Sequence, residues 1–98
     1  MYYVYILRCE DNSLYTGITN DVYKRYEKHV LGTGAKYTKA HKVKSIEIII
    51  RTSSKSEALK LEYKIKKLTK ENKEKLIQLN SKILYDLEIE EINIEKSN

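Results

Sequence analysis

The sequence predicts an α+β fold: a small three-stranded antiparallel sheet flanked by helices, in the order β-β-α-β-α-α. Three observations carry this. Two β-branched and aromatic runs, YYVYILR at 2–8 and LYTGI at 14–18, are separated by the turn-forming stretch CEDNS at 9–13. A third such run, SIEIIIR, stands apart at 45–51. Helix-start signals follow the second and third runs: Asp21 at the end of TND, and the capping box Ser54-x-x-Glu57. A hairpin, then a helix, then a lone strand suggests a mainly antiparallel sheet with helices packed on it.

Taken in order, residues 2–8 and 14–18 form the hairpin. The first helix begins near Asp21, and Val22, Tyr26 and Val30 recur at i, i+4 and i+8 as its core stripe. Arg25 and His29, also four apart, share a neighbouring face and can act on one ligand. LGTGAKYTKAHK at 31–42 holds two of the three glycines and reads as a basic loop. Residues 45–51 are expected to be the central strand, covered on both sides. After Ser54, Ala58, Leu61, Ile65 and Leu68 mark the buried stripe of a second helix. Thr69 reads as the cap of a third helix carrying Leu76, Ile77 and Leu79. Residues 1–80 form one domain. Residues 81–98 mix period-2 and helical spacing, which leaves strand-like pairing and partial disorder both open.

Charge is unevenly distributed. Residues 1–80 hold 17 Lys and Arg against 9 Asp and Glu, whereas residues 81–98 hold 2 against 5. A basic domain with an acidic tail suggests a polyanionic partner. The single cysteine, Cys9, excludes an intrachain disulfide and a multi-cysteine metal site. The first apolar run meets Arg8 too early for a membrane span. The expectation is a cytoplasmic protein with no membrane contact.

The aromatic composition raises a chemical question, because all nine aromatics are tyrosines, with no Phe or Trp. A ring needed only for packing gains nothing from a hydroxyl that must find a partner once buried. Tyr5 and Tyr15 lie on the two arms of the hairpin and share a face. They sit directly opposite at ~5 Å between Cβ atoms, or diagonally, depending on the turn. Glu62 lies beside the buried stripe of its helix, where a carboxylate is costly unless paired with a cation or bound to a metal. A half-buried Glu–Lys pair is the plainer of those two options. Ser-His-Asp chemistry lacks its nucleophile elbow, the GTG loop lacks the Lys-Ser/Thr of a P-loop, and soft ligands are too few for zinc.

YVYIL at 3–7, LYTGITND at 14–21, Arg25, His29, GTGAKYT at 32–38 and ALKLEYKIK at 58–66 resemble, in order, the motifs of small stand-alone members of the GIY-YIG nuclease family. The match covers about residues 1–80. Tyr3 stands where the family's name has Gly, and Thr16 where it has Ile. The resemblance implies a metal-dependent endonuclease that hydrolyses phosphodiester bonds; the expected substrate is DNA, and because a lone domain of this size has little area for sequence readout, the expectation is structure- or single-strand-directed cleavage with little sequence specificity. It implies Tyr5, Tyr15, Arg25, His29 and Glu62 as catalytic residues, with Glu62 holding one Mg²⁺ or Mn²⁺. Lys36, Tyr37, Thr38, Lys39 and Lys66 are the expected nucleic-acid contacts. The partner is nucleic acid, DNA ahead of RNA, and a homodimer or a protein partner stays open. The alternative is a non-catalytic nucleic-acid-binding module.

Overall fold

The structure is a computed structural model that describes residues 1–96. Strands β1 (Tyr2–Cys9) and β2 (Leu14–Thr19) form the expected hairpin. Asp11 closes its turn by accepting from the Ser13 N–H and hydroxyl, and Asn12 takes a positive φ of 70°. Helix α1 (Val22–Val30) starts where Asp21 accepts the Lys24 N–H. Its buried line runs through Val22, Tyr26 and His29, and Val30 is exposed. The stripe thus follows i, i+4, i+7, and the imidazole takes the core position that was expected for valine.

The stretch read as a basic loop contains a short helix, α2 (Lys36–His41). Strand β3 (Val43–Thr52) follows, then α3 (Lys55–Lys66), capped by Ser54, and α4 (Lys70–Ile77), capped by Thr69. Both caps accept a backbone N–H three residues on, as the sequence signals require. Residues 81–96, left open by their spacing, form α5 (Ser81–Asp86), a 3₁₀ turn (Glu91–Asn93) and a short strand β4 (Ile94–Lys96).

The sheet is therefore four-stranded and antiparallel, in the order β2-β1-β3-β4, rather than three-stranded. β4 pairs only with Ile48–Ile50, and β1 is the strand with two long partners. The expected central role of residues 45–51 is thus shared with β1. An apolar run shows that a strand is buried on both faces but not which neighbours it has.

Opposite faces of the sheet carry separate cores. On one, Val4, Ile6, Ile48 and Ile50 lie under Ala58, Ile65, Leu76, Ile77, Ile83, Leu84 and Leu87. On the other, Tyr5, Leu7, Ile46 and Ile49 meet Val22, with Tyr15 and Tyr26 packed alongside. The pairing passes from Ile6–Ile48 to Leu7–Ile46, so Glu47 is the extra residue of a β-bulge. Its carboxylate accepts from Arg8 at 2.7 Å, and Arg8 also grips Glu74 through both terminal nitrogens at 2.5 and 2.6 Å. This bidentate clamp ties β1, β3 and α4 together. Among the described residues no helix is long and apolar enough to cross a membrane.

Candidate active site

Tyr5 and Tyr15 point to the second face, where α1 and α2 lie. The hairpin register pairs Tyr5 with Gly17 and Leu7 with Tyr15, so the two tyrosines are diagonal neighbours, with ring centroids 6.5 Å apart. Gly17 has a steric purpose here. A Cβ at that position would come within 2.5 Å of the Tyr5 hydroxyl and 3.2 Å of the Tyr15 ring. The missing side chain lets the Tyr5 ring lie over the edge strand.

His29 enters from α1 and is 1% exposed. Its Nε2 is 2.8 Å from the Tyr5 hydroxyl and its Nδ1 is 2.8 Å from the Thr38 hydroxyl. Burial, and secondly the Arg25 charge, pull its pKa down to about 4, so the imidazole is neutral near pH 7. Gly34 accommodates this ring as Gly17 accommodates Tyr5: an added Cβ would lie 2.6 Å from His29 Nδ1. The Gly34 carbonyl also accepts from Arg25 Nη2 at 2.8 Å. One loop residue thus seats both Arg25 and His29.

The Tyr5 phenol is pushed up to about 12, mainly by burial; Tyr15 and Glu62 add to the rise and Arg25 opposes it. The Glu62 charge is therefore felt at the Tyr5 hydroxyl although Glu62 belongs to α3, which packs on β1 and β2. Glu62 is half-buried, and Lys66 lies 3.3 Å away at i+4. Tyr5, Tyr15, Arg25 and His29, from β1, β2 and α1, thus gather on one face, and Glu62 of α3 reaches them through its charge at Tyr5.

The expected nucleic-acid contacts divide. Lys36 and Lys39 are exposed on α2, and Lys66 is exposed beside Glu62. Thr38 departs from that set. It is 1% exposed and faces inward to His29, with no surface to offer a ligand. On a six-residue helix packed over the site, one side must point inward, and the Lys-Tyr-Thr-Lys string does not reveal which. Tyr37 stacks on Tyr15 at 5.9 Å and on His41 at 4.1 Å, and His41 pairs with Asp11 at 2.5 Å. Gly17, Gly34 and the inward role of Thr38 are what sequence reasoning missed. The small-residue spacing of GTGAKYT was the available signal. A cleft of about 510 Å³ between α3 and the C-terminal segment contains none of these residues.

A family model described as the GIY-YIG catalytic domain matches residues 1–75. The chain belongs to the GIY-YIG family. This is a nuclease-type domain, and nucleic acid is the class of partner it implies. A UPF0213 protein of Fusobacterium nucleatum is 48% identical over 96 residues, covering 97% of this chain and 96% of that protein. The UPF0213 protein YhbQ of Salmonella typhimurium is 43% identical over 76 residues, covering 78% of this chain and 76% of its own length. The solution NMR structure of a UPF0213 protein from Bacillus halodurans matches with a TM-score of 0.54 at 44% identity, covering 82% of this chain and 86% of that one.

Proposed function

We propose that this GIY-YIG protein is a metal-dependent endonuclease that hydrolyses phosphodiester bonds in DNA, directed by strand structure or single-strandedness rather than by base sequence. The observation that carries the reading is the Tyr5–His29 hydrogen bond beside Arg25, with the Glu62 carboxylate at the same edge. Hydrolysis needs an attacking water, charge relief on the phosphate oxygens and stabilisation of the leaving oxygen. The Arg25 fork engages the scissile phosphate. The Tyr5 oxygen takes a proton from the attacking water while its own proton passes to His29 Nε2. The resulting hydroxide forms the new bond to phosphorus, and the leaving alkoxide departs and is protonated from solvent. An incoming phosphate offsets the Arg25 charge that helps hold His29 down, which makes the imidazole a better acceptor at that moment.

The donor set suits a divalent cation of the Mg²⁺ or Mn²⁺ type. Glu62 is a hard oxygen donor, and no group of three or more His, Cys, Asp or Glu stands ready to hold a metal among the described residues. One carboxylate with waters and phosphate oxygens is a natural shell for such an ion, which dehydrates reluctantly. When bound, the ion would supply positive charge at the leaving oxygen. The exposed Lys36, Lys39 and Lys66 would follow the phosphate backbone. A second reading, a binding module without turnover, draws on the Lys66–Glu62 pair, which already neutralises the carboxylate.

The test is a cleavage panel of single-stranded, flap and duplex DNA with Mg²⁺ or Mn²⁺, run beside Glu62→Ala. The expected result is metal-dependent cleavage that the variant loses while its melting temperature stays near that of the wild type. Cleavage by Glu62→Ala at the wild-type rate rejects the metal role. Salt-sensitive binding with no cleavage of any substrate makes the chain a binding module.

A further inference from the structure

We propose that Thr38 is a positioning residue: its hydroxyl holds His29 in the Nδ1–H tautomer and so leaves Nε2 bare toward the Tyr5 phenol. The inference rests on the hydrolytic reading for its purpose, but its geometry stands on its own. The Thr38 hydroxyl has a single hydrogen. It lies 3.2 Å from the Ala35 carbonyl, which can only accept and which also takes the Lys39 N–H at 3.0 Å; in the proposed arrangement the hydrogen points there. The same oxygen lies 2.8 Å from His29 Nδ1 and must therefore accept, which places the ring proton on Nδ1. Nε2, 2.8 Å from the Tyr5 oxygen, is then the acceptor and the phenol the donor. The chain of donors runs Tyr5 to His29 to Thr38 to Ala35 without a break.

The opposite arrangement would be worse in two ways. A hydroxyl turned toward Nδ1 would leave the Ala35 carbonyl with the Lys39 N–H alone, and Nε2–H would then point at the phenol oxygen. That oxygen could no longer pass a proton to the ring. His29 and Thr38 are each 1% exposed, so water has little access to repair either loss. The tautomer of a histidine is set by the bond its other nitrogen makes. Here that bond comes from α2, through a residue nine positions downstream. Gly34 between them keeps the ring in place, because any side chain there would strike Nδ1. The loop GTGAKYT thereby has a chemical role apart from its basic surface.

Long-range ¹H–¹⁵N correlation spectra of the ring, recorded near pH 7.5 on free protein, decide the matter without reference to cleavage. The expected wild-type pattern is a protonated Nδ1 and a bare Nε2. Thr38→Ser should preserve it. Thr38→Val, which keeps the shape and removes the hydroxyl, should move the proton toward Nε2 and lower kcat on the order of 10- to 100-fold with substrate binding unchanged, and Thr38→Ser should restore most of that loss. A wild-type His29 carrying its proton on Nε2 overturns the proposal. So does a folded Thr38→Val variant with an unaltered ring spectrum. Should the valine variant fail to fold, the wild-type and serine spectra still identify the tautomer. If no substrate is cut by the wild type, the hydrolytic reading falls and the spectrum still tests the tautomer.

Discussion

Arg25 is half-buried: its Nη2 donates to the Gly34 carbonyl, and the guanidinium also acts on the Tyr5 hydroxyl. Lysine at this position keeps the charge and loses the planar fork. Arg25→Lys is therefore expected to reduce turnover by about 100-fold or more, comparable to loss of one preorganised donor, while substrate binding changes little. Single-turnover cleavage beside equilibrium binding measures both; near-normal turnover would reduce Arg25 to a simple charge. His29 makes a prediction about stability. Its folded pKa of about 4 lies below the ordinary 6.5 of the unfolded chain. Between those values the unfolded state binds a proton that the native state refuses. Stability thus falls as pH drops through 6.5 and levels off below about 4, a loss on the order of 3 kcal/mol. Tyr5 acts at the other extreme. With its phenol pushed up to about 12, the native state keeps a proton that the unfolded chain releases near 10, and stability falls as pH rises between them. Urea midpoints from pH 7 to 4 check the acid limb: His29→Asn should start lower and show the flatter profile.

Among the elements, β2 depends on a residue with no side chain. Gly17 pairs across from Tyr5, and the Tyr5 hydroxyl occupies space that any Cβ would need. Gly17→Ala must push the phenol aside or lift the edge strand, and overpacking of this kind costs about 1–3 kcal/mol. The expected outcome is a lower urea midpoint together with a changed His29 ring spectrum, since the two rings share a hydrogen bond. An alanine variant with wild-type stability and an unshifted His29 would mean that the edge strand yields freely. The helices differ in what defines them. Asp21, Ser54 and Thr69 each cap a helix through a bond three residues long, which is why those starts were legible. Helix α2 has no side-chain cap at Ala35, and its six residues were read as loop.

The whole molecule is closed by residues that the charge pattern sets apart. The segment 81–98 is acidic, which invites the idea that it folds back over the lysines as a mimic of nucleic acid. The packing argues otherwise, for Ile83, Leu84 and Leu87 are buried with Val4, Ile6 and Ile50 in the larger core, and β4 adds to the sheet. Lys96 also donates to the Ile77 carbonyl. Each such side chain contributes about 1.5–3 kcal/mol on burial, and a domain of this kind has only about 5–15 kcal/mol in hand. Deletion of residues 81–98 is therefore expected to lower the melting temperature sharply or to prevent folding. Thermal unfolding of the truncated chain checks this; a truncated protein that melts like the full one and binds nucleic acid more tightly would restore the mimic.

Tyr5, Tyr15, Arg25, His29 and Glu62 were read as a set because each sits in a short motif, and the hairpin, β3 and helices α1, α3 and α4 follow from local periodicity and caps, whereas α2 does not. Such signals act within one turn of helix or one strand alternation, so they are written in adjacent residues. The sequence by itself therefore determined the α+β class, the hairpin, three of the helix starts and the residues to watch. Only the tertiary structure decided that Thr38 turns inward to His29, that Gly17 and Gly34 make room for rings, that Glu47 bulges to meet Arg8, and that Ile94–Lys96 extends the sheet. Each of these depends on which surfaces meet after the chain has folded back on itself. β4 pairs with residues more than forty positions upstream, and no window of neighbouring residues records that meeting.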